Sequence, residues 1–275
     1  MIDSHHHLWK YSAAEYDWIP PESPLAQDQL LDQLQATTSS AGVDGTVVVQ
    51  ARQTLAESDW LLSLADQTEI IAGVVGWVPL IDPDVGRDLG RLAAHPKFKA
   101  VRHVLQAEPD SYFLRDDFHR GLAVLPDLDL RYDLLIFQRQ ITAALQLVDR
   151  QPDLGIIIDH LAKPEIRNGR IDPAWKSGMA ELAKRENILG VKVSGMVTEV
   201  LDPEIDLPTL RAYFEETLQL FGPDRVLFGT DWPVCLLRID SSETWADMVR
   251  GFVSELSLEE SGAILHDNAV RIYGL

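Results

Sequence analysis

His5 and His7 flank His6 in Ile2-Asp3-Ser4-His5-His6-His7-Leu8-Trp9. In an extended chain alternate side chains share a face, so His5 and His7 point together and His6 points away. Two imidazoles on one face suit a divalent cation or an anionic transition state. His160 closes the run Ile156-Ile157-Ile158-Asp159-His160, where alternation puts it on the face of Ile156 and Ile158. Alone it reads as a core histidine bonded to a carbonyl; beside His5 and His7 it reads as a third imidazole of one site. Asp231 ends another apolar run, Leu227-Phe228-Gly229-Thr230-Asp231. A carboxylate there is costly unless it is paired, which makes it a candidate general base or metal ligand. Arg102, in Val101-Arg102-His103, needs an anionic partner, and a substrate oxyanion is preferred here over a structural ion pair. Gln50, Arg52, Trp77 and Lys163 sit at or just beyond the ends of further runs and complete the candidate substrate contacts. His103 reads as structural, and Asp133 and Asp159 as ion-pair or capping residues. Cys235 has no visible activating neighbour, and the chain carries no GxSxG, HExxH or CxxC.

These residues are scattered over about 230 positions, so something regular must gather them. Short runs rich in Val and Ile recur at 1–7, 46–50, 71–78, 100–104, 132–136, 155–160, 189–194 and 226–230. Several are apolar at consecutive positions, as strands covered on both faces are. Between them, 27–38, 57–66, 139–150, 173–185 and 208–221 carry apolar stripes at helical spacing, with Pro173 and Pro208 suited to first turns. Strand alternating with helix predicts parallel βαβ units, and eight of them in a chain of this length predict a (β/α)8 barrel, an α/β fold of one domain over 1–275. In such a barrel the site lies at the C-terminal ends of the strands, where the polar residues above stand. The Pro-rich stretch 18–24 reads as a loop over one barrel end, and 245–275 as closing helices.

Composition narrows the partners. The 275 residues hold 24 Lys and Arg against 43 Asp and Glu, a net charge of −19, which argues against nucleic acid and against a polybasic membrane anchor. There is no GxGxxG or P-loop to bind a nucleotide. The first residues do not read as a signal peptide, no stretch has the roughly 18 apolar residues of a membrane span, and one cysteine fits a reducing compartment. The expectation is a cytoplasmic protein acting on a small molecule, with oligomeric state left open.

The opening HxH, Val101-Arg102-His103, Ile158-Asp159-His160-Leu161-Ala162-Lys163-Pro164, Lys192-Val193-Ser194-Gly195, Gly229-Thr230-Asp231-Trp232-Pro233 and the ending Asn268-Ala269-Val270-Arg271-Ile272-Tyr273-Gly274-Leu275 span the chain in order. Together they resemble the amidohydrolase superfamily, most closely its amidohydrolase 2 branch of predicted metal-dependent hydrolases on the TIM-barrel fold. Within that branch the chain is similar to sugar lactonases acting on L-fucono- or L-rhamnono-lactones. The resemblance implies a hydrolase that opens a lactone, with Asp231 activating water, His160 and Arg102 at the carbonyl, and Trp9, Trp77 and Trp232 available to stack on a sugar ring. It implies a metal set of His5, His7, His160 and Asp231. Binuclear members add a bridging Lys or Glu on strand four and a His on strand five; Arg102, Tyr132 and Asp133 stand there, so at most one divalent ion of the zinc type is expected, and it is dispensable in one version of the chemistry. Two readings stay open beside the lactonase: a metal-dependent decarboxylase of an unsaturated or aromatic acid, and a barrel that binds metal or sugar without turnover.

Overall fold

In the computed structural model, residues 1–167 and 169–275 are described. Eight strands follow one another in chain order: β1 Ile2–His6, β2 Gly45–Val49, β3 Ile71–Gly76, β4 Phe98–His103, β5 Arg131–Leu134, β6 Ile156–Ile158, β7 Ile188–Lys192 and β8 Val226–Leu227. Each pairs in parallel with the next. The seam closes by backbone bonds from β1 to the segment after β8: Ser4 N–H to Phe228 O (3.0 Å), Asp231 N–H to His5 O (2.8 Å) and His7 N–H to Trp232 O (2.7 Å). The architecture is the expected (β/α)8 barrel.

Consecutive apolar residues serve two layers. Val47, Val49, Val75, Ala100, Ile157 and Leu227 meet inside the barrel with Ala269, Ile272 and Tyr273. Their neighbours Val48, Val74, Val101, Ile156 and Ile158 belong to the larger layer beneath the helices. The outer ring comprises α1 Leu31–Ala41, α2 Leu55–Ala65, α3 Val85–Ala93, α4 Asp116–Leu122, α5 Ile141–Asp149, α6 Pro173–Ala183, α7 Leu207–Phe221 and α8 Ser242–Val253, followed by α9 Leu258–Gly262 and α10 Asn268–Tyr273. Among the described residues no helix is long and apolar enough to cross a membrane.

The elements depart from expectation at several places, and some of these departures have a plain physical reason. The helix read over 27–38 begins at Leu31, because Gln29 is taken by two backbone bonds with Trp9 (3.0 and 2.8 Å). Helices α3 and α4 were not anticipated: α3 carries two glycines and α4 is only seven residues long, too short to show a stripe. The run 155–160 yields only three strand residues, because the chain leaves the sheet at Asp159. As expected, the tail supplies closing helices. Lys99 Nζ donates to Gly274 O (2.6 Å) and Arg131 Nε to Ile272 O (3.2 Å), which ties α10 across the N-terminal strand ends and leaves the other end open.

Candidate active site

The C-terminal ends of the strands frame a cavity of about 710 Å³ lined by His7, Arg52, Arg102, His160, Lys163 and Asp231, with further residues from the loops after β1, β2 and β4. His5 lies just beneath its floor.

Alternation along β1 turns Asp3, His5 and His7 to the barrel axis. Asp3 fixes the seam: its Oδ1 accepts from His5 N–H (3.1 Å) and Thr230 N–H (2.8 Å), and its Oδ2 from the Thr230 hydroxyl (2.5 Å). That clamp sets the height of Asp231 against the histidines. His7 Nδ1 donates to Val49 O (2.8 Å), so Nε2 is the nitrogen left bare, and it lies 3.4 Å from Asp231 Oδ1. His5 Nε2 lies 3.8 Å from the same oxygen and His160 Nε2 3.9 Å. His6 faces outward, buried, with neither ring nitrogen hydrogen-bonded to a described residue.

His160 reaches the site by an unusual route. Its companions Ile156 and Ile158 face the outer layer, so simple alternation would carry His160 away from the cavity. Instead His160, Leu161, Ala162 and Lys163 all take positive φ, at 51°, 54°, 57° and 48°. Four consecutive non-glycine residues in the left-handed region store strain of about 1–2 kcal/mol each. The turn swings the imidazole inward, where Nδ1 meets Ser194 Oγ at 2.9 Å. Gly195, at φ 65°, makes room: a Cβ there would stand 2.6 Å from His160 Nδ1. Asp231 also has positive φ, at 56°.

Below the histidines lies a network of buried charge. Lys192 Nζ contacts Asp133 Oδ2 (2.5 Å), Asp159 Oδ1 (3.0 Å) and His5 Nδ1 (3.2 Å). Tyr273, on α10, donates its hydroxyl to Asp133 (2.8 Å to Oδ1). Arg102 Nη1 lies 3.2 Å from both Asp159 Oδ2 and His5 Nε2, and Nη2 donates to Gln50 O. Arg102 thus lines the cavity and is also an ion-pair residue. The ion-pair reading of Asp133 and Asp159 matches their surroundings.

Burial and these neighbours set the charge states. Burial holds His5 well below the usual imidazole range and His160 at about 4, so both are neutral near pH 7, as metal-ligating or proton-accepting imidazoles must be. Burial pushes the Asp231 carboxyl up, but His160 and His7 outweigh it and leave it below the usual range, hence ionised. Asp159 is held low against its burial by Lys192, His5 and Arg102; burial raises Asp133 to about 6 despite Lys192. Burial raises the Cys235 thiol well above its usual range and makes it a poor nucleophile.

The donor set suits one divalent ion. Ligand atoms of His5, His7 and Asp231 lie within 4.8 Å of one another, as do those of His5, Asp159 and His160. Neutral imidazoles with one carboxylate form a set that zinc accepts, and the bonds from His7 Nδ1 to Val49 and from His160 Nδ1 to Ser194 orient Nε2 as such ligands require.

The tryptophans chosen from sequence stand back from the cavity. Trp9 is buried in a cluster with Tyr16, Ile19 and Leu25, Trp232 is buried beside His6, and Trp77 Nε1 donates to His103 Nδ1 (3.3 Å). Gln50 is buried and holds Arg102 through its backbone carbonyl. The tryptophan on the cavity wall is Trp18, in the Pro-rich loop 18–24; its signal in the sequence is an aromatic placed beside prolines, where no core stripe explains it.

The family model for amidohydrolases matches residues 2–275. The chain is 36% identical over 286 residues to an L-fucono-1,5-lactonase of Burkholderia multivorans, covering 100% of this chain and 96% of that one. It is 36% identical over 239 residues to an L-fucono-1,5-lactonase of Burkholderia ambifaria, covering 86% and 81%. A zinc-bound crystal structure of an amidohydrolase from B. multivorans superposes with a TM-score of 0.93 at 35% identity, covering 100% of this chain and 99% of that one.

Proposed function

The chain belongs to the amidohydrolase family, and from that premise we propose that it hydrolyses a neutral, polyhydroxylated lactone of the sugar type to the open hydroxy acid. The observation that carries the substrate class is the pairing of charge around the cavity. Each Lys or Arg among its described lining residues already faces a carboxylate: Arg52 with Glu15 (2.5 Å), Arg102 with Asp159 (3.2 Å) and Lys163 with Glu199 (3.2 Å). A dicarboxylate or sulfonate substrate would need unpaired cations and would meet Asp17 instead. A neutral ring asks only for hydrogen bonds and a shaped wall. The L-fucono-1,5-lactonase relatives support the same class.

Asp231, ionised and pointed at the histidines, takes the proton of the attacking water and returns it to the ring oxygen as the acyl bond breaks. His5, His7 and His160 bring Nε2 to 3.8, 3.4 and 3.9 Å from its Oδ1, and His5, His7, His160 and Asp231 would hold a divalent ion. When bound, such an ion supplies a Lewis acid to the lactone carbonyl. Arg102, fixed by Asp159 and Gln50, lines the cavity and supplies positive charge to the oxyanion that develops on the lactone carbonyl. The experiment is a pH-indicator assay with L-fucono-1,5-lactone. Asp231→Asn should lower kcat about 10²- to 10⁴-fold. Near wild-type turnover in that variant would remove Asp231 from the role of base.

A further inference from the structure

Resting on the sugar-lactone reading above, we infer that the turn Tyr16–Ile19 is a sugar-recognising wall, in which Trp18 packs against the apolar face of a pyranose ring and Asp17 accepts hydrogen bonds from its hydroxyls. The turn is closed by Ile19 N–H to Tyr16 O at 3.0 Å, which leaves Asp17 and Trp18 at its two central positions. Both flanking residues are anchors: Tyr16 is 1% exposed and Ile19 2%, in one buried cluster with Trp9 and Leu25. The central pair is the part not buried, and both of its residues line the cavity.

Trp18 is 45% exposed, the one exposed aromatic among the described residues. It is nevertheless held in place. Its Nε1 donates to Ala51 O at 3.2 Å, and its ring stands edge-on to Trp9 at 5.7 Å and 89°. Ala51 is itself fixed, because its N–H donates to Glu57 Oε2 at 2.9 Å while the Tyr16 hydroxyl donates to Glu57 Oε1 at 3.1 Å. One buried carboxylate therefore locks the loop after β1 to the loop after β2. A rigid aromatic face left open to a wet cavity is what the C–H face of a sugar needs, and it costs little ordering entropy on binding. Asp17, exposed and facing no cation among the described residues, offers acceptors to ring hydroxyls and repels anionic ligands.

The test compares wild type with Trp18→Ala, Trp18→Phe and Asp17→Asn on L-fucono-1,5-lactone and on δ-valerolactone, which lacks hydroxyls, and measures binding of L-fucose by calorimetry. Trp18→Ala should raise KM for the sugar lactone about tenfold, more than it lowers kcat, and weaken L-fucose similarly, with partial recovery in Trp18→Phe. Asp17→Asn should cut the preference for the sugar lactone over δ-valerolactone. Unchanged KM, L-fucose binding and preference in both Trp18→Ala and Asp17→Asn would overturn the wall while leaving lactone hydrolysis standing. If wild type turns over neither lactone yet binds L-fucose in a Trp18-dependent way, the hydrolase reading fails and the wall stands. If it neither turns over nor binds, both fall.

Discussion

Around Asp231 Oδ1, the geometry is set by residues that do not touch a substrate. Gly195 is the sharpest case. Its positive φ and missing side chain let His160 sit where it does, and a methyl group at 2.6 Å from Nδ1 cannot be accommodated without moving the ring. Gly195→Ala should therefore lower kcat at least tenfold with the far-ultraviolet circular dichroism unchanged; wild-type kcat would mean His160 tolerates displacement. Glu57 makes a comparable contribution to the loops. Burial raises its carboxyl to about 7. A folded-state value above the unfolded one means that the stability Glu57 contributes is complete below about pH 4.5 and is lost as pH rises through about 7. Urea midpoints should then show wild type losing stability relative to Glu57→Gln between pH 5 and pH 8, a window taken from that shift. A constant difference across it would contradict the raised value.

At the scale of elements, the strand ends were readable because chemistry breaks apolarity there: His5, His7, Arg102 and Asp231 are polar residues closing runs that must be dry on both faces. Asp231 and the first-strand histidines follow from a period of two and a barrel. His160 does not, since alternation points it outward with Ile156 and Ile158, and only the left-handed turn 160–163 brings it in. No period in sequence encodes that turn. Trp18 escaped for a related reason, since a loop pinned by tertiary bonds to Ala51 and Glu57 has no repeat to read. The start of α1 was displaced by a bridge between Gln29 and Trp9, a contact made twenty residues away in sequence. The network beneath the histidines shows what elements must share. Lys192 on β7 faces Asp133 on β5 and Asp159 after β6 with no water-exposed surface. Lys192→Met leaves Asp133 without its cation and Asp159 with Arg102 alone, and should cost about 3–5 kcal/mol in urea unfolding. A loss below about 1 kcal/mol would show that the carboxylates neutralise themselves at little cost.

The whole barrel divides its ends by task. α10 closes the N-terminal end and reaches through Tyr273 to the network that supports His5, while the C-terminal end is left open and walled by loops. That division was legible from the alternation of strand and helix and from where the polar residues fell. The sign of the cavity was not, because Arg52, Arg102 and Lys163 look available in sequence, and their partners Glu15, Asp159 and Glu199 are found only in three dimensions. The central claim is that this paired, hydroxyl-seeking cavity selects neutral sugar lactones. The most direct measurement is kcat/KM for L-fucono-1,5-lactone beside that for 2-pyrone-4,6-dicarboxylate, in one buffer at low ionic strength. A preference for the neutral lactone of at least 10²-fold is predicted, from three paired cations and the uncompensated Asp17 on the wall. Equal rates, or turnover of the dianion alone, would contradict it.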